Sequence, residues 1–451
     1  MASYIHPLRK TVEKNRSGQA AGLYSVCSAN EIVLRAAIRH AVSYRYPLII
    51  ESTSNQVNQT GGYTGKRPRD FAELVRRIAR DERMDTDALV LGGDHLGPLV
   101  WCDEDERSAM EKAAELIRDY TLAGFTKIHL DTSMKLADDD PAVPLDVDVC
   151  ARRGAALAKV VEESYAELAA RDACAVRPIL VIGSEVPIPG GSRAHEDSVT
   201  PTSANGFLSQ VAAFRRAFRQ AGVPFDRVAA FVVQPGVEFG DDFVCFYRRD
   251  KAKPLTDALK TVPNLVFEGH STDYQSGEKL AELIKDGVAV LKVGPAFTFA
   301  LREGLFLLED IERIMVPDAA RRSNFRRSLL DAMSRSDRYW KTHYTGTPEQ
   351  IEYKKCYSYS DRCRYYLPEA GVRQAIDTLT GNLPDIPPAL ISQYFPVQYR
   401  QFMQESLKND ALSLLYSRLA ELCDVYARAC ALRRPSARET GEYELSDTAN
   451  A

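Results

Sequence analysis

No stretch of the sequence approaches the roughly 20 consecutive apolar residues that a membrane helix needs, so no membrane partner is expected. There is no GxxxxGK(S/T) loop and no GxGxxG after the first strand-like run, which removes the common nucleotide-phosphate and dinucleotide cradles. CxxC pairs are also missing. The nine cysteines fall at irregular intervals and no signal peptide precedes them, so reduced thiols in a cytoplasmic protein are expected rather than a disulfide framework. Neither sign of charge dominates. The 58 basic and 62 acidic residues leave a net charge of -4, too balanced for a nucleic-acid or anionic-membrane partner. Histidine is scarce, at seven residues, so each position carries information.

What the chain does have is a rhythm. Short apolar, β-branched runs alternate with amphipathic stretches after a polar, basic N-terminal arm or helix of about twenty residues. The predicted strands are Gly22 to Ala29, Pro47 to Thr53, Ala88 to His95, Lys127 to Ser133, Ile179 to Val186, Val228 to Gly236, Asn264 to His270 and Val288 to Gly294. A helical pattern follows each strand, the last running from Ala296 to Arg313. Eight such units in the α/β class predict a (β/α)8 TIM barrel over residues 1–315, with a doubly wound open sheet as the alternative. Residues 316–434, rich in Arg, Tyr and Leu, read as a C-terminal helical extension and a subunit-contact surface in an oligomer. Residues 435–451 are polar and aperiodic, and read as a disordered tail.

The centre of the pattern is ALVLGGDHLGP, residues 88–98, where an apolar strand stops at two glycines and delivers Asp94 beside His95. The other strands also end in polar side chains: Glu51, Asp131 with Ser133, Glu185, Gln234, Glu268 with His270, and Lys292. In a barrel these carboxyl ends converge on one face. His95, Glu185, Gln234 and His270 form a mixed N/O donor set for a divalent metal, with zinc first and manganese or cobalt as alternatives. Asp94, Asp131, Glu268 and Lys292 are the candidate catalytic groups. His129, mid-strand beside Leu130, is expected to pack outside the barrel, and His195 lies in a loop near the mouth. Ser271, Thr272, Gly294 and Thr298 fall after the last two strands, where barrels bind phosphate, and Arg302 is placed to reach an anion. Asn55 and Gln56 lie in the long polar loop SNQVNQTGGYTG, which would contact a sugar together with Glu51 and Ser133.

These residues carry a resemblance. GGDHLGP is similar to the Asp-His-Gly turn of class II, metal-dependent fructose/tagatose bisphosphate aldolases, in which the Asp is the acid/base and the His a zinc ligand. FTKIHLDTS, Glu185 with Gly190-Gly191, His270-Ser271 and LKVGPAFTFALRE resemble further parts of that site. The closer resemblance is to the GatZ/KbaZ family, the non-catalytic, accessory subunit of class II D-tagatose-1,6-bisphosphate aldolase. It is carried by SVCSAN, GGYTG, GGDHLGP, EVPIPGG, VVQPGVEF, HSTDYQ and YSYSDRCRYY, and spans residues 18–430. The departures from a true aldolase matter: Ser192-Arg193 stand where the resemblance implies paired acids, and Gln234 where it implies a His ligand.

Three readings follow. The resemblance implies an accessory subunit in tagatose or galactitol metabolism that binds a catalytic aldolase subunit. The surviving polar residues also fit a metal-dependent ketose or ketose-phosphate 4-epimerase of the tagatose/fructose type, acting by retro-aldol cleavage and readdition. A tagatose-6-phosphate kinase is the least favoured, because no P-loop or kinase signature is present.

Overall fold

The computed structural model describes residues 4–183 and 199–433. In chain order, α1 (Pro7–Arg16) precedes β1 (Leu23–Cys27), α2 (Glu31–Tyr44), β2 (Leu48–Thr53) and α3 (Pro68–Asp81). Next come β3 (Leu89–Leu96), α4 (Glu106–Leu122), β4 (Lys127–Asp131), α5 (Val147–Arg171), β5 (Ile179–Gly183), α6 (Ala204–Ala221) and β6 (Val228–Val233). A short antiparallel hairpin, β7 (Glu238–Phe239) and β8 (Val244–Cys245), leads into α7 (Arg249–Lys260). The set closes with β9 (Val266–Gly269), α8 (Gly277–Lys285), β10 (Val288–Val293) and α9 (Pro295–Met315). Eight parallel strands form a closed barrel in the order β1-β10-β9-β6-β5-β4-β3-β2, so the expected (β/α)8 architecture is the one found.

Local chemistry accounts for the element boundaries. Asn30 caps α2 by accepting from the Ile32 and Val33 amides, and Ser203 caps α6 by accepting from Gly206. α3 begins at Pro68, where a missing N–H costs nothing. α7 carries Pro254 inside it, a residue that reads in sequence as a helix boundary. β4 and β6 stop at Asp131 and Val233, short of the expected Ser133 and Gly236. The β7–β8 hairpin was not foreseen, since two-residue strands leave no periodicity to read.

The N-terminal arm is a plug. Leu8 and Val12 of α1 are buried against Leu23, Ile49, Val90 and Val290 at the N-terminal end of the barrel. At the C-terminal side of the chain, α10 (Phe325–Arg335), α11 (Pro348–Tyr357), α12 (Ala370–Gly381), α13 (Pro388–Tyr394), α14 (Pro396–Met403) and α15 (Ala411–Ala429) follow; α10, α12, α13 and α15 pack onto the barrel helices, α11 onto α10, and α14 onto α13 and α15. Leu34, Leu305 and Leu415, from α2, α9 and α15, belong to one continuous apolar cluster. Hydrogen bonds also tie α15 and the residue after it to the barrel: Tyr426 Oη donates to the Thr272 carbonyl at 2.8 Å, and Gly22 N to the Cys430 carbonyl at 3.2 Å. Among the described residues, no helix is long and apolar enough to cross a membrane. The tail expected to be disordered begins at 435, outside the described residues.

Candidate functional site

The site is built from neighbouring strands in register. Glu51 on β2 stands beside Gly92 on β3, which stands beside Lys127 on β4. A Cβ at Gly92 would lie 2.5 Å from Glu51 Cγ, so only glycine lets the Glu51 carboxylate cross β3 to reach the Lys127 ammonium. Lys127 also meets Glu268 Oε2 on β9 at 2.7 Å, with both side chains fully buried. Lys292 on β10 completes the ring, pairing with Glu51 and lying 3.0 Å from Asp94 Oδ2 and 3.9 Å from Glu268 Oε1.

A bulge brings Asp94 and His95 to this ring together. On β3 the register against β4 slips between Gly93 and Leu96, and His95 takes φ 48°, a left-handed value. In a regular strand two successive side chains face opposite ways. Here Asp94 Oδ1 pairs with His129 Nδ1 at 2.8 Å, and His95 Nδ1 with Asp131 Oδ2 at 2.7 Å. His270 Nε2 donates to Glu268 Oε1 at 3.1 Å. The His95, His129 and His270 rings form a triangle with centroids 4.9 to 5.3 Å apart.

Burial favours the neutral form of every one of these groups, and their mutual contacts decide the outcome. The Asp94 and Asp131 carboxylates overcome burial at His95 and raise it to about 9. Against the same burial, the His95 hydrogen bond holds Asp131 down at about 2, and Lys127 with His270 holds Glu268 at about 2. Asp94 lies well below the usual carboxylate range, because His95, His129 and His270 outweigh its burial. At His270 burial prevails over Glu268 and Asp94, and the imidazole is lowered. Four carboxyl groups (Glu51, Asp94, Asp131, Glu268) therefore face three cations, the Lys127 and Lys292 ammonium groups and the His95 imidazolium.

Asp94, His129, Glu268 and His270 each offer a ligand atom, all within 4.8 Å of one another. His129 Nε2 is buried without a hydrogen-bond partner, while Nδ1 lies 2.8 Å from Asp94 Oδ1 and accepts from the His95 amide at 3.2 Å. Imidazole and carboxylate donors fit zinc, manganese or cobalt alike.

The residues expected from sequence distribute unevenly. Asp94, His95, Asp131, Glu268, His270, Lys292 and Glu51 converge in the barrel mouth. Asn55, Gln56, Ser271 and Gly294 line the cavity above them, Gln56 Oε1 also accepting from Thr53 N at 2.9 Å. Ser133 donates to Asp131 Oδ1 at 2.7 Å. Thr272 donates to the Lys292 carbonyl at 2.6 Å and Thr298 to the Pro295 carbonyl at 3.2 Å, so both hydroxyls serve the backbone. Arg302 is buried and its Nε donates to Asp361 Oδ1 at 3.0 Å, while its two Nη atoms have no hydrogen-bond partner. Gln234 Oε1 accepts from the Gly236 and Val237 amides at 2.8 and 3.0 Å, capping a turn rather than joining a donor cluster. Glu185, Ser192, Arg193 and His195 lie outside the described residues.

One placement is corrected outright. His129 points into the barrel, fully buried on Asp94, and not outward. The signal was present in sequence: Lys127, His129 and Asp131 are spaced by two, so an inward Asp131 requires the other two inward. Lys127 was missed for the same reason. Arg364 and Tyr365, which line the cavity from the C-terminal region, had no periodic signal at all.

The family model described as D-tagatose-1,6-bisphosphate aldolase subunit GatZ/KbaZ-like matches residues 8–431. Among solved structures, the chain is similar to a probable tagatose 6 phosphate kinase from Sinorhizobium meliloti 1021, with 38% identity, a TM-score of 0.82, and coverage of 91% of this chain and 100% of that one. It is also similar to the YdjI aldolase from Escherichia coli K12, at 11% identity and TM-score 0.40 over 83% of this chain and 97% of that one. A fructose-bisphosphate aldolase from Campylobacter jejuni matches at 12% identity and TM-score 0.42, over 82% and 90%.

Proposed function

The chain belongs to the GatZ/KbaZ-like family of D-tagatose-1,6-bisphosphate aldolase subunits, and we propose that it acts as the accessory subunit of a class II tagatose-bisphosphate aldolase. The observation that carries this reading is the extent of the match, which includes both the barrel and the helices after it. The helical region 316–434 would be the face offered to the catalytic subunit. Mixing the purified chain with a class II tagatose-bisphosphate aldolase tests it. Co-elution, with a rise in the aldolase's activity or melting temperature, is expected; two separate peaks and an unchanged aldolase would end the reading.

A second reading, catalysis by the chain itself, is favoured by the buried cluster. Ionised groups buried at this density each carry a desolvation penalty of several kcal/mol, which a subunit serving only as a contact surface has no reason to bear. Asp94, His129, Glu268 and His270 would hold a divalent ion, which when bound would polarise the C2 carbonyl of a ketose. The chain's own residues handle the protons. Asp94 stays ionised, and its Oδ2 lies 3.0 Å from Lys292 Nζ, so the carboxylate can take a proton from the C4 hydroxyl and return it while the ammonium stabilises the oxyanion that forms. Loss of that proton breaks the C3–C4 bond of the sugar; rotation of the aldehyde fragment and re-formation of the bond gives the 4-epimer, with the proton restored. Metal analysis of the purified protein, with assays of tagatose 6-phosphate and fructose 6-phosphate with and without zinc, manganese or cobalt, tests this. Stoichiometric metal and interconversion are expected; no turnover with any of the three metals would remove it.

A further inference from the structure

The motif YSYSDRCRYY, residues 357–366, enters neither reading above, yet it reaches the barrel mouth. Arg364 and Tyr365 line the same cavity as Asp94, His270 and Lys292, joined there by Tyr63 from the loop after β2. The Arg364 guanidinium is fixed from behind: Nη1 donates to the Ser360 and Asp361 carbonyls, and Nη2 to Tyr365 Oη at 3.2 Å. Tyr365 is itself clamped, stacked on Tyr339 at 4.7 Å and tilted against Tyr63 at 4.6 Å. These contacts leave Nε–H and one Nη2–H unused. Among the described residues no carboxylate makes an ion pair with Arg364; Asp361, and Asp273 in the same cavity wall, act on its charge only from beyond ion-pair distance. An orientated guanidinium with spare donors is a ready receptor for a phosphate.

The usual phosphate seat of a barrel is closed here. Phosphate in such folds settles at the helix N-terminus after the last strands. In this chain that position, the start of α9, is taken by the protein's own anion: Asp273 Oδ1 accepts from Gly294 N at 3.0 Å and from Ala296 N at 2.8 Å. Asp273 is 2% exposed, and an incoming phosphate would find these amides occupied and a carboxyl in its way. Burial raises this carboxyl to about 6, and the two amide bonds oppose the rise.

We infer that the phosphate of a ketose phosphate binds at Arg364, beside Tyr63 and Tyr365, with the sugar's carbonyl end lying toward Lys292 and Asp94. The C-terminal region thus completes the ligand site as well as packing against the barrel. This inference rests on the reading of the mouth as a ketose-phosphate site, and names the part of the chain that reads the phosphate.

Calorimetry on the full-length protein tests it with fructose 6-phosphate, fructose, inorganic phosphate and acetate. Fructose 6-phosphate should bind about tenfold or more tightly than fructose. Arg364→Gln should erase that preference while leaving fructose affinity unchanged, and Arg364→Lys should retain part of it. Asp273→Asn keeps an oxygen for both amides and should leave the preference intact. An Arg364→Gln protein that melts like the parent and keeps the preference overturns the seat, as does a phosphate affinity that rises in Asp273→Asn, which would return the seat to α9. Acetate competing as well as phosphate would make the site a carboxylate receptor and overturn the phosphate assignment. A parent that binds inorganic phosphate through Arg364 but neither sugar would refute the ketose reading alone. A parent that binds no phosphate of any kind would refute the seat.

Discussion

The two ends of the barrel are made from the same strands, two residues apart, and differ in almost every chemical respect. Leu23, Ile49, Val90, Val266 and Val290 form an apolar rung closed from below by Leu8 and Val12. Two residues further along the same strands stand Ser25, Glu51, Gly92, Glu268 and Lys292. The lower rung contributes stability by removing apolar surface from water, about 25 cal/mol per Å². The upper rung offers nothing of that kind, because ionised groups at such depth are tolerated only when paired. The contrast assigns stability to one end and chemistry to the other, and it is testable by substitution at each.

The largest effect is expected at the upper rung. Under the epimerase reading, Asp94→Asn removes the proton acceptor and should lower turnover by about 10² to 10⁴, with a lower melting temperature as well, because Lys292 and His129 lose a buried charged partner. If the variant turns over at the parent's rate in a coupled assay, Asp94 does not move the proton. Next in size is Lys127→Met, which removes one of the two ammonium groups that Glu51 and Glu268 share and leaves them only Lys292. A loss of about 3 to 5 kcal/mol is expected in urea unfolding. Adding Glu51→Gln should recover part of it, which a simple packing defect would not permit.

At the lower rung, Leu8→Ala should cost about 2 to 4 kcal/mol while leaving metal content and ligand affinity as in the parent. Thermal melts beside metal analysis would show it. A parallel loss of metal would mean that the two ends are mechanically coupled, and the division drawn above would fail.

How much of this was legible beforehand follows from the range of each signal. The barrel was readable because its strands are local apolar runs bounded by Gly and Pro. Asp94, Asp131, Glu268 and Lys292 were readable because strand ends converge in any closed parallel barrel. His129 was misplaced because it was weighed against Leu130 instead of against Asp131, two residues on. Gln234 and Arg302 could not be resolved locally, since their partners depend on a turn geometry and on Asp361, a residue 59 positions away. Arg364 lies beyond any strand pattern and enters the site only because α15 and its neighbours fold back on the barrel.

The smallest of the expected effects concerns the plug itself. His6 caps α1: its Nδ1 accepts from Leu8 N at 3.2 Å, so Nε2 carries the proton and lies 3.2 Å from Thr126 Oγ1. Burial lowers its pKa to about 4, and Arg9, Arg227 and Lys127 reinforce the shift. The unfolded chain would hold this imidazole near the ordinary value of about 6.5. As pH falls below that value the unfolded state takes up a proton that the folded state refuses, so stability is full above about pH 6.5 and drains away toward pH 4. Between pH 7 and pH 5 the loss from this one group is about 2 kcal/mol. His6→Asn supplies an oxygen for the same amide and does not titrate, so it should remain nearly as stable as the parent at pH 7 and surpass it at pH 5. Asp273, raised to about 6, works in the opposite direction over part of this range, but it is common to both proteins and cancels in their difference. Urea unfolding of the pair at the two pH values measures that difference. Parallel pH profiles would show that the plug is held by Leu8 and Val12 alone, and that the lower end of the barrel is insensitive to protons.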